Sequence, residues 1–372
     1  MSPSSDQNAD SQTPKTGFES EVDFASAAAK LSSDQKQGLW NFIGERREML
    51  REDMCLYPIG ECAGAICNSH SIQESKLADI ARAGHVYGFE FDLGKIVKKS
   101  TFDAFAKVGI NSASVFRGFC SHHDAELFRP IDTQDFKCSP EQLFLYFYRA
   151  ICRELHIRHC MAKAHATPDD IARVHPGIPK HHYEESVRWQ RTHFLVEALK
   201  LYQCKFKMDS ALLNAEFRRL KHYIITFKRQ PSVLSAAAFT PTCDFAGRGF
   251  RLVSHPLLSY HVMTITTLPT LSGGVVILSW FDNGPMEFEL FCHSLSRVSA
   301  DKLTSSVIRL LFEFCENIAI APHWWDAVPG DCKNALMNRA RSGIPPNRRT
   351  ESCLTEDDLY YDDWEVEMRF RL

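Results

Sequence analysis

Apolar positions along the chain change period several times. Leu39, Phe42, Ile43 and Leu50 recur at helical spacing behind Ser32, Ser33, Asp34 and Gln35, which offer N-cap chemistry, and predict a helix ending near Met54. Residues 55–132 are rich in Gly and His, with short β-like stretches such as 86–91. From Glu141, the series Leu143, Phe144, Phe147, Ala150, Ile151 and Leu155 marks the longest apolar helix. Arg149, Arg153 and His156 share another face of it. Residues 168–179 read as an exposed loop, and helical stretches follow at about 182–207 and 210–227. After Ser232 the period becomes extended. The runs 235–239, 249–253, 261–267 and 274–280 are β-prone, 268–274 is a turn, and 286–291 alternates polar and apolar as a half-buried strand should. An amphipathic helix over about 300–315 closes the series.

These elements predict an α+β protein in five parts. They are a disordered leader (1–32), a zinc-finger module (33–135), a basic helical region (136–231), a β-rich α+β domain with a covering helix (232–342), and an acidic tail (343–372). Composition agrees with packing: 372 residues, 44% hydrophobic and 24% charged, exclude a fully disordered or collagen-like chain. No apolar run reaches the roughly 18 residues a bilayer helix needs, and the N-terminus lacks a basic-then-apolar export signal, so no membrane and a cytoplasmic location are expected. In that reducing compartment, thirteen cysteines clustered with histidines read better as metal ligands than as disulfides.

Net charge is −3, yet its distribution is uneven. Residues 141–231 carry sixteen Lys/Arg against nine Asp/Glu, and 351–372 carry eight acids against two arginines. The basic middle suits a polyanion, with Arg149 and Arg153 as expected phosphate contacts, and the acidic tail suits a segment that competes for the same surface. Tyr360, Tyr361 and Trp364 in that tail, and Trp324 and Trp325 before it, suit base stacking, a core, or an oligomer interface.

The strongest chemical signal lies in the Cys/His module. Cys62, Cys67 and His70 are followed some fifty residues later by Cys120 and His123, three apart, a spacing that lets the first turn of a helix aim both at one ion. The favoured zinc ligands are Cys62, His70, Cys120 and His123. Cys67 can replace His70, and His122 can replace His123. Four protein ligands leave no open position, so the Zn2+ is expected to be structural.

The run Cys62, Cys67, Asn68, Ser69, His70, then Gly84 to Tyr87, then Arg117, Gly118, Phe119, Cys120, His123, Asp124, Phe128, Pro130 and Asp132 resembles the N-terminal zinc finger of uncharacterised bacterial proteins, and more distantly an altered HNH-type treble clef. One group with such a finger is similar to the ring-activated zinc-finger ribonucleases of antiphage defence. The resemblance implies a ribonuclease toxin that a phage protein triggers, after which it cleaves RNA and arrests translation.

Cleaving RNA without a metal needs a base, an acid and a cation at one phosphate. His261, opening an apolar strand, is the expected base, with Asp244 orienting it. Arg153 and His159 also fit the loose Arg-x4-6-His pattern of HEPN ribonucleases. The rivals are a non-enzymatic zinc-finger adaptor that binds protein or RNA, and an HNH-like DNA nuclease. A homo-oligomer is expected.

Overall fold

The computed structural model describes residues 32–89, 105–174, 179–250, 262–342 and 349–372. The leader at 1–31, His255, His261 and most of the connector at 343–350 lie outside the described residues.

The molecule is built on strands whose side chains are buried on both faces. Ten strands are described: β1 Ser69–His70, β2 His85–Phe89, β3 Phe105–Gly109, β4 Val115–Phe116, β5 Leu220–Phe227, β6 Val233–Phe239, β7 Met263–Thr270, β8 Gly273–Phe281, β9 Ile318–Ile320 and β10 Val366–Arg371. Eight form one antiparallel sheet in the order β10-β5-β8-β7-β6-β9-β2-β3, and β1 pairs separately with β4. Alternation assigns the faces. Tyr223, Ile225 and Phe227 of β5, and Val276, Leu278 and Trp280 of β8, point to one core, whereas Ile224, Val275 and Ile277 point to another.

Helices cover both faces. On the first lie α7 (Met286–Ser296), α8 (Ala300–Phe314) and α10 (Gly330–Ser342), contributing Phe288, Phe291, Leu303, Val307, Leu311 and Leu336. On the second lie α4 (Pro140–Ala164) and α6 (Glu184–Leu213), contributing Phe144, Phe147, Ile151, Leu155, Leu201 and Met208. The remaining helices are α1 (Ser33–Met49), α2 (Glu74–Ile80), α3 (Ser121–Asp132), α5 (Pro168–Val174) and α9 (Pro322–Ala327). The α+β class is as expected, and the continuous apolar run Val275 to Leu278 follows from burial on both faces.

Several expectations are corrected. Residues 286–291 are helical: Phe288, Phe291, Cys292 and Leu295 are buried at i, i+3, i+4 and i+7, and Glu287 and Glu289 sit in a first turn where acids are favoured. The helix expected over 210–227 stops at Leu213, and Leu220–Phe227 becomes a strand of the sheet. The loop expected at 168–179 contains α5. The sheet also draws strands from the finger region (β2 and β3), the basic region (β5) and the acidic tail (β10) as well as from the β-rich domain. The boundaries at 135, 231 and 342 therefore do not separate sheets.

The tail is part of the core. Trp364 is buried edge-on against Phe227, and its indole N–H donates to Asp362 and Ser232. Asp357 accepts from Tyr361, Arg309 and Arg339. The opposed charges of tail and basic region meet through strand pairing, with Lys228 on Glu365 at 2.6 Å beside the β10–β5 ladder.

Candidate metal centre

Two chain segments are laced together below α3. Met54 and Leu56 donate backbone N–H groups to Arg117 and Gly118, Cys67 donates to Phe119, and Ser121 donates to Ala65. Glycine is required at 118, because a Cβ there would stand 2.4 Å from the Phe116 ring. Asp53 and Arg117 pair across the outer end of the lacing. The result brings Cys55 and Cys62 of the first segment over the start of α3, where Cys120 is the N-cap and His123 lies one turn in.

Sulfurs of Cys55, Cys62 and Cys120 and a ring nitrogen of His123 all lie within 4.8 Å of one another. His123 Nδ1 is 3.3 Å from the sulfurs of both Cys55 and Cys120. Zinc bonds of about 2.3 Å to sulfur and about 2.0 Å to nitrogen set ligand atoms roughly 3.5–3.8 Å apart in a tetrahedron, and a cluster this close is compatible with one shared ion after small side-chain shifts. Tyr57 stacks on the His123 ring at 4.0 Å and 15°, which fixes its orientation.

The electrostatics fit a ligand set. Burial, assisted by neighbouring His122, holds His123 below the ordinary histidine range, so its imidazole is neutral and has a lone pair to give. Burial works to raise the Cys120 thiol, but the His123 backbone N–H and the thiols of Cys55 and Cys62 outweigh it and keep Cys120 below the usual thiol range. The N-cap position adds favourable helix-dipole charge. Cys62 is pushed up to about 11, first by hydrogen bonding to Cys55 and then by burial and the crowding of the other thiols. Three sulfurs at this spacing cannot all carry unscreened negative charge. A cation among them relieves that crowding.

The structure brings together three of the four expected ligands and replaces the fourth. His70 lies in β1, paired with Val115, and its Nε2 meets the Ile110 carbonyl oxygen at 3.1 Å. Cys67 sits at 3.6 Å from the Ser69 hydroxyl, its thiol pushed up mainly by burial. His122 points outward to Glu126. Cys55 takes the open place. Its signal was a lone thiol seven residues before Cys62, and only pairing of residues 54–56 with 117–118 brings it to the site.

The residues expected to act on nucleic acid have internal partners. Arg149 is buried, reaches both oxygens of Asp132 at 2.7 and 2.5 Å, and lies 3.9 Å over the Phe128 ring. Its guanidinium is turned inward rather than presented to solvent. Arg153 donates to Glu154, which also pairs with Arg158, in a mostly buried ion cluster. His159 faces Glu52 at 3.4 Å and does not join Arg153. Asp244 is buried and accepts the backbone N–H groups of Ala246 and Arg248, both at 2.9 Å, as a turn-forming aspartate does. His261, its expected partner, lies outside the described residues. Trp325 stacks on Phe312 in the core and Trp364 is likewise internal, so neither is a base-stacking platform.

No protein-family model matches this chain, and no curated protein or solved structure is significantly similar to it.

Proposed function

We propose that Cys55, Cys62, Cys120 and His123 hold a structural zinc ion, and that the protein is a zinc-stapled adaptor that works by binding rather than by catalysis. The observation that carries the reading is the donor set: three thiols and one neutral imidazole whose ligand atoms all lie within 4.8 Å of one another, all supplied by the chain. Sulfur-rich sets of this kind suit zinc over magnesium or calcium, and four protein ligands close the coordination shell. The bound ion supplies a cross-link between the 54–62 segment and α3, not an activated water.

The ribonuclease expectation needs a base, an acid and a cation converging on one phosphate. Arg149, Arg153 and Asp244 each take partners inside the protein. This favours the adaptor over the toxin.

Elemental analysis of the purified full chain is expected to give about one zinc per chain. Cys55→Ser and Cys120→Ser should lose the metal, while His70→Ala and Cys67→Ser should keep it. Zinc retained in a Cys55→Ser, Cys120→Ser double variant would refute the site. Cleavage of RNA by the purified protein, with or without added metal, would refute the adaptor reading.

A further inference from the structure

We propose that Cys243 and Cys353 are a redox pair, which a hydroperoxide closes into a disulfide that fastens the acidic tail to the sheet. Their sulfurs stand 3.4 Å apart in the interior, although the two residues are 110 positions apart in the chain. Among the described residues no third histidine, cysteine or carboxylate joins them at metal-binding separation, so ligation does not account for the contact. Backbone bonds fix both segments. After β6 the chain makes a tight turn in which Phe250 N–H donates to the Thr242 carbonyl and Asp244 N–H donates to the Arg248 carbonyl. On the tail side, Cys353 N–H donates to the Thr350 carbonyl, and the Cys353 carbonyl accepts from Arg339 of α10. The turn is thin where it faces the tail. A Cβ on Gly249 would collide with the Glu351 side chain, and one on Gly247, at φ +80°, would stand 3.1 Å from Thr355 Cγ2. A disulfide sets its sulfurs about 2.05 Å apart, so each has to move inward by only about 0.7 Å.

The chemistry of the two thiols is unequal. Burial pushes the thiols of Cys204, Cys292 and Cys315 up and leaves them unreactive. Cys243 is held below the usual thiol range, first by the hydrogen bond from the Cys353 thiol and also by the Leu354 backbone N–H, against the effect of burial. Cys353, the donor in that bond, is pushed up by it and by burial, and keeps its proton. The pair therefore offers a nucleophilic thiolate beside a resolving thiol. It lies just beneath the surface: Cys353 retains 8% exposure and follows exposed Glu351 and Ser352, whereas Cys243 is fully buried. A hydroperoxide is small enough for such a site, and a bulky disulfide oxidant is not. The Cys243 thiolate attacks one peroxide oxygen. The O–O bond breaks, the sulfur becomes a sulfenic acid, and the leaving alkoxide takes up a proton. The Cys353 sulfur then attacks the Cys243 sulfur, the S–O bond breaks, and the hydroxide leaves as water with the Cys353 proton. Two thiols and one hydroperoxide become a disulfide, an alcohol and water. The cross-link spans a long stretch of chain, the case in which a disulfide restrains the unfolded state most.

Non-reducing peptide mapping of the full chain after treatment with hydrogen peroxide tests this. The expected product joins the peptides holding Cys243 and Cys353, forms in the folded chain and is reversed by dithiothreitol. With dimedone present, Cys353→Ser, which keeps a hydrogen-bond donor beside Cys243, should accumulate the adduct of a sulfenic acid at Cys243. Cys243→Ser should leave Cys353 unlabelled. The oxidised parent should unfold at a higher urea concentration than the reduced parent, a shift that Cys353→Ser treated in the same way does not show. Oxidation confined to Cys55, Cys62 and Cys120, with Cys243 and Cys353 still thiols, overturns the pair, and so does a link that forms only in urea. Dimedone on Cys353 in place of Cys243 overturns the assignment of the nucleophile. A cross-linked chain that unfolds no later than the reduced one overturns the fastening of the tail.

Discussion

His222 shows how a single buried side chain makes stability depend on pH. It is almost fully buried in β5, its Nδ1 is 2.8 Å from the Ser279 hydroxyl on β8, and burial pushes its pKa down to about 4. An unfolded histidine titrates near 6.5, so between those values the unfolded chain binds a proton that the folded chain refuses. The stabilisation is complete above about pH 6.5 and is lost as pH falls toward 4. Its full size is up to about 3 kcal/mol, from some two and a half pKa units at 1.36 kcal/mol each. Urea denaturation between pH 7 and 4.5 should show this loss in the parent protein and a flatter profile in His222→Asn. Identical slopes would mean that His222 does not titrate with folding. The zinc ligands teach a related lesson at this scale. Cys120 and His123 are legible because one helix turn holds both. Cys55 is not, because its approach depends on hydrogen bonds to a segment more than sixty residues away.

Among elements, those whose period persisted were legible and those with short patterns were not. Helix α8 and strands β6, β7 and β8 lie close to where apolar spacing puts them. The six alternating residues 286–291 were too few to distinguish a strand from a helix, and the second turn of α7 settles the question by burying Cys292 and Leu295. Helix α4 was located correctly, but its charged face was misjudged. Seventeen of its twenty-five residues are buried, because α3, α6 and the sheet surround it, so Arg149 and Arg153 could not remain a solvated face. The consequence is testable. Arg149→Ala should cost about 2–3 kcal/mol, the lower end of a broken buried pair because Asp132 is about a third exposed. Asp132→Ala in the same chain should add much less than it does alone. RNA affinity that falls while stability is unchanged would return Arg149 to a phosphate-contacting role.

At the scale of the whole molecule, the antiparallel sheet joins segments that charge and composition separate. An acidic stretch at the end of a chain ordinarily reads as a solvated tail, but residues 353–371 contain Leu354, Tyr361 and Trp364, and all three are buried in the core under α8 and α10. Two roles for this tail make opposite predictions. A detachable mask would leave a folded protein behind when residues 351–372 are removed, with the β5 edge uncovered and Arg309 and Arg339 free for a polyanion. An integral strand would not, because its removal strips β10 from β5, empties the Trp364 site and leaves Arg309, which is buried, without its Asp357 partner. Truncation alone cannot separate the roles if the product aggregates, so point variants decide. Trp364→Ala should cost about 3–5 kcal/mol in urea denaturation, as large aromatic truncations in a core do. Asp357→Asn should cost a comparable amount through the uncompensated arginines. Neither variant should raise affinity for RNA, and salt should not release the tail, because the apolar contacts of Leu354 and Trp364 are not screened by ions. A soluble 1–350 fragment that unfolds at the same urea concentration as the full chain would show that the tail is detachable after all.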